Sequence, residues 1–330
     1  MPSAIFAGQP ENLPIAFPSD LRLQISRQVR ILAGEFEGDG WRDQTERLKE
    51  VDLIFATWGM PKLDEEFLDA TPGLKAVFYA AGTVKPFATE ASYKRGVIIS
   101  SAWEANAIPV AEYTQAAILL SLKRFWQFLR QSPEQKFTRG SLAFPGAYRT
   151  KVGLLSLGAV GRRVAEGLAS TQVRLLAYDP FADPAMAARL GVTLVSLEEL
   201  FAESDVVSIH APFLPETEKL VSGLLVGSMK EGATLINTAR GAVVNEEELC
   251  AVLRGRPDLT AILDVTEPEP PLADSPLRSL ENVILTPHIA GSLGSEITRM
   301  GDWMVDEMQR YLDGEPLHHC VTREMLARMA

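Results

Sequence analysis

Short apolar runs, each closed by glycine, proline or charged residues, recur along the whole chain. Pro14–Phe17, Val29–Leu32, Val51–Thr57, Leu74–Tyr79 and Gly96–Ser100 read as strands. Between them, Asp43–Glu50 and Asp64–Ala70 read as helices and Trp58-Gly59-Met60-Pro61 as a turn. Ala80–Thr83 is a small-residue loop after a strand, at the end where open α/β sheets hold ligands. Pro109–Arg130 is apolar on more than one side and predicts a long helix buried in an interface. Residues 131–150 show no period and read as an arm or loop. Further on, Val192–Val195, Asp205–His210, Ala233–Asn237, Leu259–Val265 and Val283–Thr286 are expected strands, and Leu197–Ala202 a helix. A last helix, Ser295–Leu312, is expected to cross back to the first domain. Strands alternating with helices predict an α/β fold with parallel, doubly wound sheets.

The pattern is sharpest over Lys151–Pro180, which reads as strand, tight turn, helix and strand. An apolar run from Val152 enters the turn Ser156-Leu157-Gly158-Ala159-Val160-Gly161, a helix fits Arg162–Ser170, and the strand Val173–Tyr178 ends at Asp179. This is the layout of a dinucleotide-binding βαβ unit. Without a side chain, Gly158 lets a pyrophosphate approach the turn. Free amides around Ala159 and Val160 would face it, with the helix dipole favouring negative charge. Gly161 lets helix and strand pack closely. Asp179 can accept hydrogen bonds from ribose hydroxyls and would repel a 2′-phosphate, which favours NAD. The fingerprint G-x-G-x-x-G is broken at its first position by Ser156. The turn alone therefore also fits an ordinary glycine-bearing loop of another α/β protein.

Composition narrows the function classes. The chain has 330 residues, enough for two domains, and 46% are hydrophobic, enough to bury a sizeable core. A net charge of −11 argues against a nucleic-acid or anionic-membrane partner but leaves room for an anionic substrate beside a local arginine. Two cysteines, Cys250 and Cys320, suit a reducing compartment and give no disulfide framework or cysteine zinc cluster; no metal is expected. No apolar run reaches transmembrane length and the N-terminus lacks a signal-peptide layout, so a cytoplasmic location is expected.

Four histidines make the search for reactive groups short. His318 and His319 lie in a polar tail and are expected to be exposed. His210 ends a strand before Ala211-Pro212 and reads as a structural residue or a wall of a cofactor site. His288, in Thr286-Pro287-His288-Ile289-Ala290-Gly291, follows the last strand and can point at a nicotinamide ring. Arg240 follows the apolar strand that ends at Asn237. Its guanidinium can grip a carboxylate with two prongs, or pair with a structural acid. Glu269 lies in the proline-rich run Asp264-Val265-Thr266-Glu267-Pro268-Glu269-Pro270-Pro271, which can hold a carboxylate at a set angle. Together, Arg240, Glu269 and His288 make a plausible acid–base set, with histidine the natural proton donor near neutral pH.

At this point the chain resembles the D-isomer-specific 2-hydroxyacid dehydrogenase family. The residues that carry the resemblance are the SLGAVG turn with Asp179, SIHAPFLPETEKL at 208–220, INTARGAVVNEEEL at 236–249, LDVTEPEP at 263–270 and TPHIAGS at 286–292, with EANAIPVAEYT at 104–114. The resemblance implies two Rossmann-like domains with an interdomain cleft. Residues 104–294 would form the NAD-binding domain. Residues 1–103 with 295–330 would form a flavodoxin-like substrate domain. It implies reduction of a 2-keto acid, or oxidation of a D-2-hydroxy acid, with His288 as general acid and base, Glu269 orienting it, and Arg240 holding the substrate carboxylate. Cofactor contacts would fall on Gly158, Ala159, Val160, Gly161, Asp179, Pro180, His210, Ala211, Pro212, Thr238, Ala239, Asp264 and Gly291. Asp264 would hold the nicotinamide carboxamide. Ala81, Gly82 and Thr83 would join Arg240 at the substrate. Many members carry Gly-Val-Asp in that loop, where this chain has Gly82-Thr83-Val84-Lys85-Pro86, so its pocket is expected to differ. The family is usually dimeric through the nucleotide domain, so a homodimer is expected. Because some relatives bind protein partners on this fold, an NAD-binding regulator is the alternative function.

Overall fold

In the computed structural model, which describes residues 1–131, 144–326 and 329, the chain divides into two compact units. The first comprises Met1–Asn106 and Ser292–Met329, the second Ala107–Gly291.

The first unit is built on β1 (Ser3–Ala7), β2 (Arg30–Phe36), β3 (Leu53–Ala56), β4 (Ala76–Tyr79) and β5 (Ile98–Ser101). They pair in parallel in the order β2-β1-β3-β4-β5. Alternate residues go to opposite faces: Ile5, Ile54 and Val77 enter one core, and Phe6, Phe55 and Phe78 the other. Both faces are covered, so the strands read as continuous apolar runs rather than alternating ones. The helix Ser295–Asp313 covers the second core with Met300, Met304 and Met308. It comes very close to Ala16, for a Cβ at Gly301 would fall 1.7 Å from the Ala16 carbonyl oxygen. Only glycine allows that approach.

The second unit carries seven strands: β6 (Lys151–Leu155), β7 (Arg174–Tyr178), β8 (Val192–Leu194), β9 (Val206–Ile209), β10 (Thr234–Asn237), β11 (Thr260–Leu263) and β12 (Val283–Leu285). All pairings are parallel, in the order β12-β11-β10-β9-β6-β7-β8. The connection direction reverses between β6 and β9, and ligands of such sheets sit at that point beyond the strand carboxyl ends. The expected α/β class with two parallel, Rossmann-like sheets is what the chain forms.

Four expectations need correction. Pro14–Phe17 is not a strand: Leu13–Ala16 is a short helix, with Pro14 in its first turn, where a missing N–H is tolerated. Its apolar residues reflect burial under the helix Ser295–Asp313, not strand pairing. The helix expected over Pro109–Arg130 starts earlier and is broken, into Trp103–Ser121 and Phe125–Arg130. Arg124 takes φ 54° at the break, and its Nη2 donates to the Glu231 carbonyl at 3.1 Å. The helix expected over Asp43–Glu50 is present but shorter: Thr45–Leu48 is α-helical and follows a 3₁₀ segment, Gly38–Gln44. His319 is half-buried, stacked on Trp303 at 4.7 Å, and its amide donates to the buried Glu307 at 3.0 Å, whereas His318 is exposed. The arm expected over 131–150 lies, at 132–143, outside the described residues. Among the described residues no helix is long and apolar enough to cross a membrane.

Candidate active site

The turn after β6 is shaped by its backbone. Ser156 adopts φ +83°, the left-handed conformation for which glycine is the usual residue. The chain thus keeps the sharp turn despite the missing glycine. The Ser156 hydroxyl donates to Asp179 Oδ2 at 3.2 Å, and the Leu157 amide donates to the same oxygen at 2.8 Å. Asp179 Oδ1 accepts the Phe181 amide at 2.9 Å. The strand-end carboxylate therefore ties the ends of β6 and β7 together. A Cβ on Gly161 would lie 2.2 Å from the Ser156 carbonyl oxygen, so glycine is obligatory there. Gly158 faces open space instead, its nearest neighbour for a Cβ being Ser156 Oγ at 3.9 Å. The helix begins at Ala159, three residues before the expected Arg162, and Gly158 is its N-cap without a side-chain hydrogen bond. Its first amides have no intrahelical partner. Open backbone, positive dipole end and a neighbouring carboxylate suit a dinucleotide.

Further along the sheet, the loops after β10, β11 and β12 hold the reactive side chains. His288 Nδ1 lies 2.6 Å from Glu269 Oε1. This contact leaves Nε2 without a protein partner among the described residues. Both side chains are accessible, at 51% for His288 and 41% for Glu269, so a ligand can reach them. Arg240 is half-buried and has no carboxylate partner within salt-bridge distance among the described residues. Its Nη1 donates to the Ala239 carbonyl at 2.6 Å. Burial pushes the guanidinium below its ordinary pKa, and the charge of Glu269 opposes that shift. Arg240, Glu269 and His288 are thus brought to one end of the sheet.

The loops are held from beneath by polar side chains. Asn237 receives the Ala239 amide at 3.0 Å and donates to the Arg240 carbonyl at 2.9 Å, which fixes Thr238 and Ala239 in a tight bend. Thr238 is buried, with its hydroxyl 3.1 Å from that of Thr114. Asp264 is 2% exposed and takes three donors: Oδ1 accepts Thr286 Oγ1 at 2.5 Å and the Ile289 amide at 2.9 Å, and Oδ2 the Ala290 amide at 2.9 Å. Its evident structural task is to build the loop from Thr286 to Gly291 around His288, which itself takes φ 53°. Tyr113 extends the chain of hydroxyls, 3.0 Å from Thr286. His210, Ala211 and Pro212 follow β9, with His210 9% exposed and neither ring nitrogen hydrogen-bonded among the described residues. Burial pushes its pKa down to about 3. Pro180 follows Asp179 at the end of β7.

In the first unit, Ala81, Gly82 and Thr83 follow β4. Ser101 Oγ donates to the carbonyls of Ala81, at 3.0 Å, and Gly82, at 2.5 Å. Thr83 Oγ1 accepts the Lys85 amide at 3.4 Å.

Residues 115–290 match the NAD binding domain of D-isomer specific 2-hydroxyacid dehydrogenases. The chain belongs to the D-isomer specific 2-hydroxyacid dehydrogenase family. A D-3-phosphoglycerate dehydrogenase of Archaeoglobus fulgidus is 33% identical over 260 residues, 79% of this chain and 49% of that one. The chain thus spans about half the length of the phosphoglycerate dehydrogenases it matches first. A glyoxylate reductase of Korarchaeum cryptofilum is 30% identical over 304 residues, covering 88% of this chain and 91% of the other. The crystal structure of a D-lactate dehydrogenase of Aquifex aeolicus, complexed with NAD and lactic acid, aligns at 26% identity and a TM-score of 0.71, over 94% of this chain and 96% of that one. NAD is accordingly the cofactor of this family member, and the open turn at Gly158 fits it.

Against that family background, the sequence reading missed the supports of the site. Asn237, Tyr113 and Thr286 sit in segments that were read for other residues. Glu246, whose Oε1 accepts the Glu267 amide at 2.6 Å, is one of three adjacent glutamates, and no spacing rule says which of them turns inward.

Proposed function

We propose that this protein is an NAD-dependent dehydrogenase that interconverts a small 2-keto acid and the D-2-hydroxy acid. The observation that carries this reading is the 2.6 Å contact of His288 Nδ1 with Glu269, beside the Arg240 guanidinium, which has no carboxylate within salt-bridge distance among the described residues. Arg240 would grip the substrate carboxylate in a two-pronged hydrogen bond and polarise the neighbouring carbonyl. Bound NADH supplies the hydride. His288 would give its Nε2 proton to the oxygen as negative charge develops there. Glu269, at Nδ1, sets the ring's tautomer and stabilises the imidazolium that exists before the transfer. In the oxidative direction the same nitrogen removes the hydroxyl proton.

The reading assigns the pyrophosphate to the amides of Ala159 and Val160, with Gly158 and Gly161 giving room, and the ribose to Asp179. His210, Ala211, Pro212, Pro180, Thr238, Ala239, Asp264 and Gly291 are its remaining cofactor contacts, and Ala81, Gly82 and Thr83 its substrate contacts. It includes residues 1–103 with 295–330 as the substrate domain, 104–294 as the NAD-binding domain, and a homodimer. Exposed Leu119, Leu120, Phe125 and Leu129 support the dimer. The free thiols of Cys250 and Cys320 fit a cytoplasmic location.

The test is NADH and NADPH oxidation with glyoxylate, hydroxypyruvate, pyruvate, phosphohydroxypyruvate and branched-chain keto acids, beside Arg240→Ala and His288→Ala. Turnover of one acid, abolished by both substitutions, is the expected result. Tight NADH binding with no turnover of any acid would overturn it in favour of an NAD-binding regulator.

A further inference from the structure

The loop that carries Glu269 is clasped by the segment that follows Arg240. A Cβ on Gly241 would lie 2.1 Å from the carbonyl carbon of Thr266 and 2.6 Å from the Glu267 nitrogen, so the backbone at 266–267 crosses directly over Gly241. A few residues on, Glu246 Oε1 accepts the Glu267 amide at 2.6 Å. Glu246 is the first residue of the helix Glu246–Gly255, capped by Asn245, so its own backbone is well anchored. A hydrogen bond from an amide to a carboxylate is among the stronger ones available. Behind this junction lies a cavity of about 320 Å³, lined by Glu246, Glu267, Pro268, Cys250, Arg254 and Leu272. The loop is therefore not backed there by close-packed side chains, which elsewhere hold a backbone in place. Gly241 beneath it and the Glu246 carboxylate hold its first part from outside, while Thr266 braces it from within through the Pro268 carbonyl and Arg278 ties its far end at Pro271.

We propose that Glu246 is a positioning residue: by holding the Glu267 amide it sets the loop that aims Glu269 at His288. The inference rests on the roles given above to Glu269 and His288. Burial and the charge of Glu267 push the Glu246 carboxyl up to about 6. A group kept half-buried at that disadvantage is held there by its amide contact.

The experiment compares wild type with Glu246→Ala, Glu246→Asp and Glu246→Gln in two readouts. One is steady-state kinetics on the best acid. The other is the low-field NMR signal of the His288 Nδ1 proton, which reports the contact with Glu269 without needing turnover. Aspartate keeps the charge and suits a helix start but cannot reach Glu267, so it guards against a variant that merely fails to fold. Glutamine keeps an acceptor at the right distance. Alanine and aspartate are expected to lower kcat by about 10- to 100-fold, leave the KM for NADH unchanged and weaken the proton signal. Glutamine is expected to restore both to within about 3-fold. Wild-type signal and kcat in the aspartate variant would overturn the proposal, as would a glutamine variant as impaired as alanine. If wild type turns over no acid while the signal still responds to Glu246, the dehydrogenase reading fails and the positioning role stands.

Discussion

His210 follows β9 and His288 follows β12, at the same end of one sheet, and their surroundings give them opposite chemistry. His210 is enclosed, has no hydrogen-bond partner on either nitrogen among the described residues, and is held neutral by burial, with its pKa pushed down to about 3. His288 is half-exposed and has a carboxylate 2.6 Å from Nδ1. On the proposed reading one ring is a wall and the other passes a proton. The same division runs across the sheet end. Around β6, β7 and β9 the site is shaped by backbone, and its carboxylate, Asp179, is occupied by three donors. Around β10, β11 and β12 it is shaped by side chains, and Glu269 has one partner among the described residues, a ring that can exchange its proton. A residue type and a strand-end position do not distinguish these roles; the number and kind of donors around the group do.

The sharpest way to break the comparison is to remove each ring in turn. His288→Gln should lower kcat by roughly 10²- to 10⁴-fold while NADH binding, followed by fluorescence, persists. His210→Gln should leave kcat within about 10-fold. Equal losses would end the distinction. Acid stability gives the next largest effect. An unfolded histidine takes up its proton near pH 6.5, whereas folded His210 resists until about 3. The unfolded state therefore binds more protons in that window. The contribution is fully present above pH 6.5 and is lost as pH falls towards 3, by a few kcal/mol in all. Urea unfolding of wild type against His210→Gln should show a flatter acid limb in the variant.

The backbone side of the site yields smaller effects. Gly161→Ala drives a methyl into the Ser156 carbonyl and should cost about 1–3 kcal/mol in urea unfolding, with weaker NADH binding. Ser156→Gly should change stability by less than about 1 kcal/mol, because relief of the positive φ is offset by loss of the hydroxyl contact to Asp179. A large loss there would make Ser156 a specific support rather than a tolerated substitute.

The strands of the second unit were legible because both faces of a parallel sheet are buried, which leaves short unbroken runs such as Leu235–Asn237 ahead of polar loops. The placement of Arg240, Glu269 and His288 at one end of the sheet was legible because each follows such a run. β1 was not, since Ser3–Ala7 is a brief run close to the start with no turn signal before it. The break at Arg124 was hidden because arginine rarely marks a helix end by a left-handed turn, and its guanidinium contact to the distant carbonyl of Glu231 has no local sequence signal. The second task of Asp264, holding the loop around His288 with both its oxygens, had no sequence signal, because its donors come from residues 22 to 26 positions away. Supports of this kind act through space, from residues whose types are common on any surface.

The close approach of Gly301 to Ala16 has a consequence for the order in which the molecule matures. Ala16 is made before Ala107–Gly291, and the helix that covers it only after the whole of that unit. The inserted unit can therefore finish folding while Leu13, Phe17 and Leu21 still lack Met300, Met304 and Met308 above them. Nascent chains fold unit by unit, and bare apolar surface is where they aggregate. For this protein the vulnerable period closes with the arrival of a late-made helix, and a stalled or shortened chain carries an open greasy flank beside a finished neighbour.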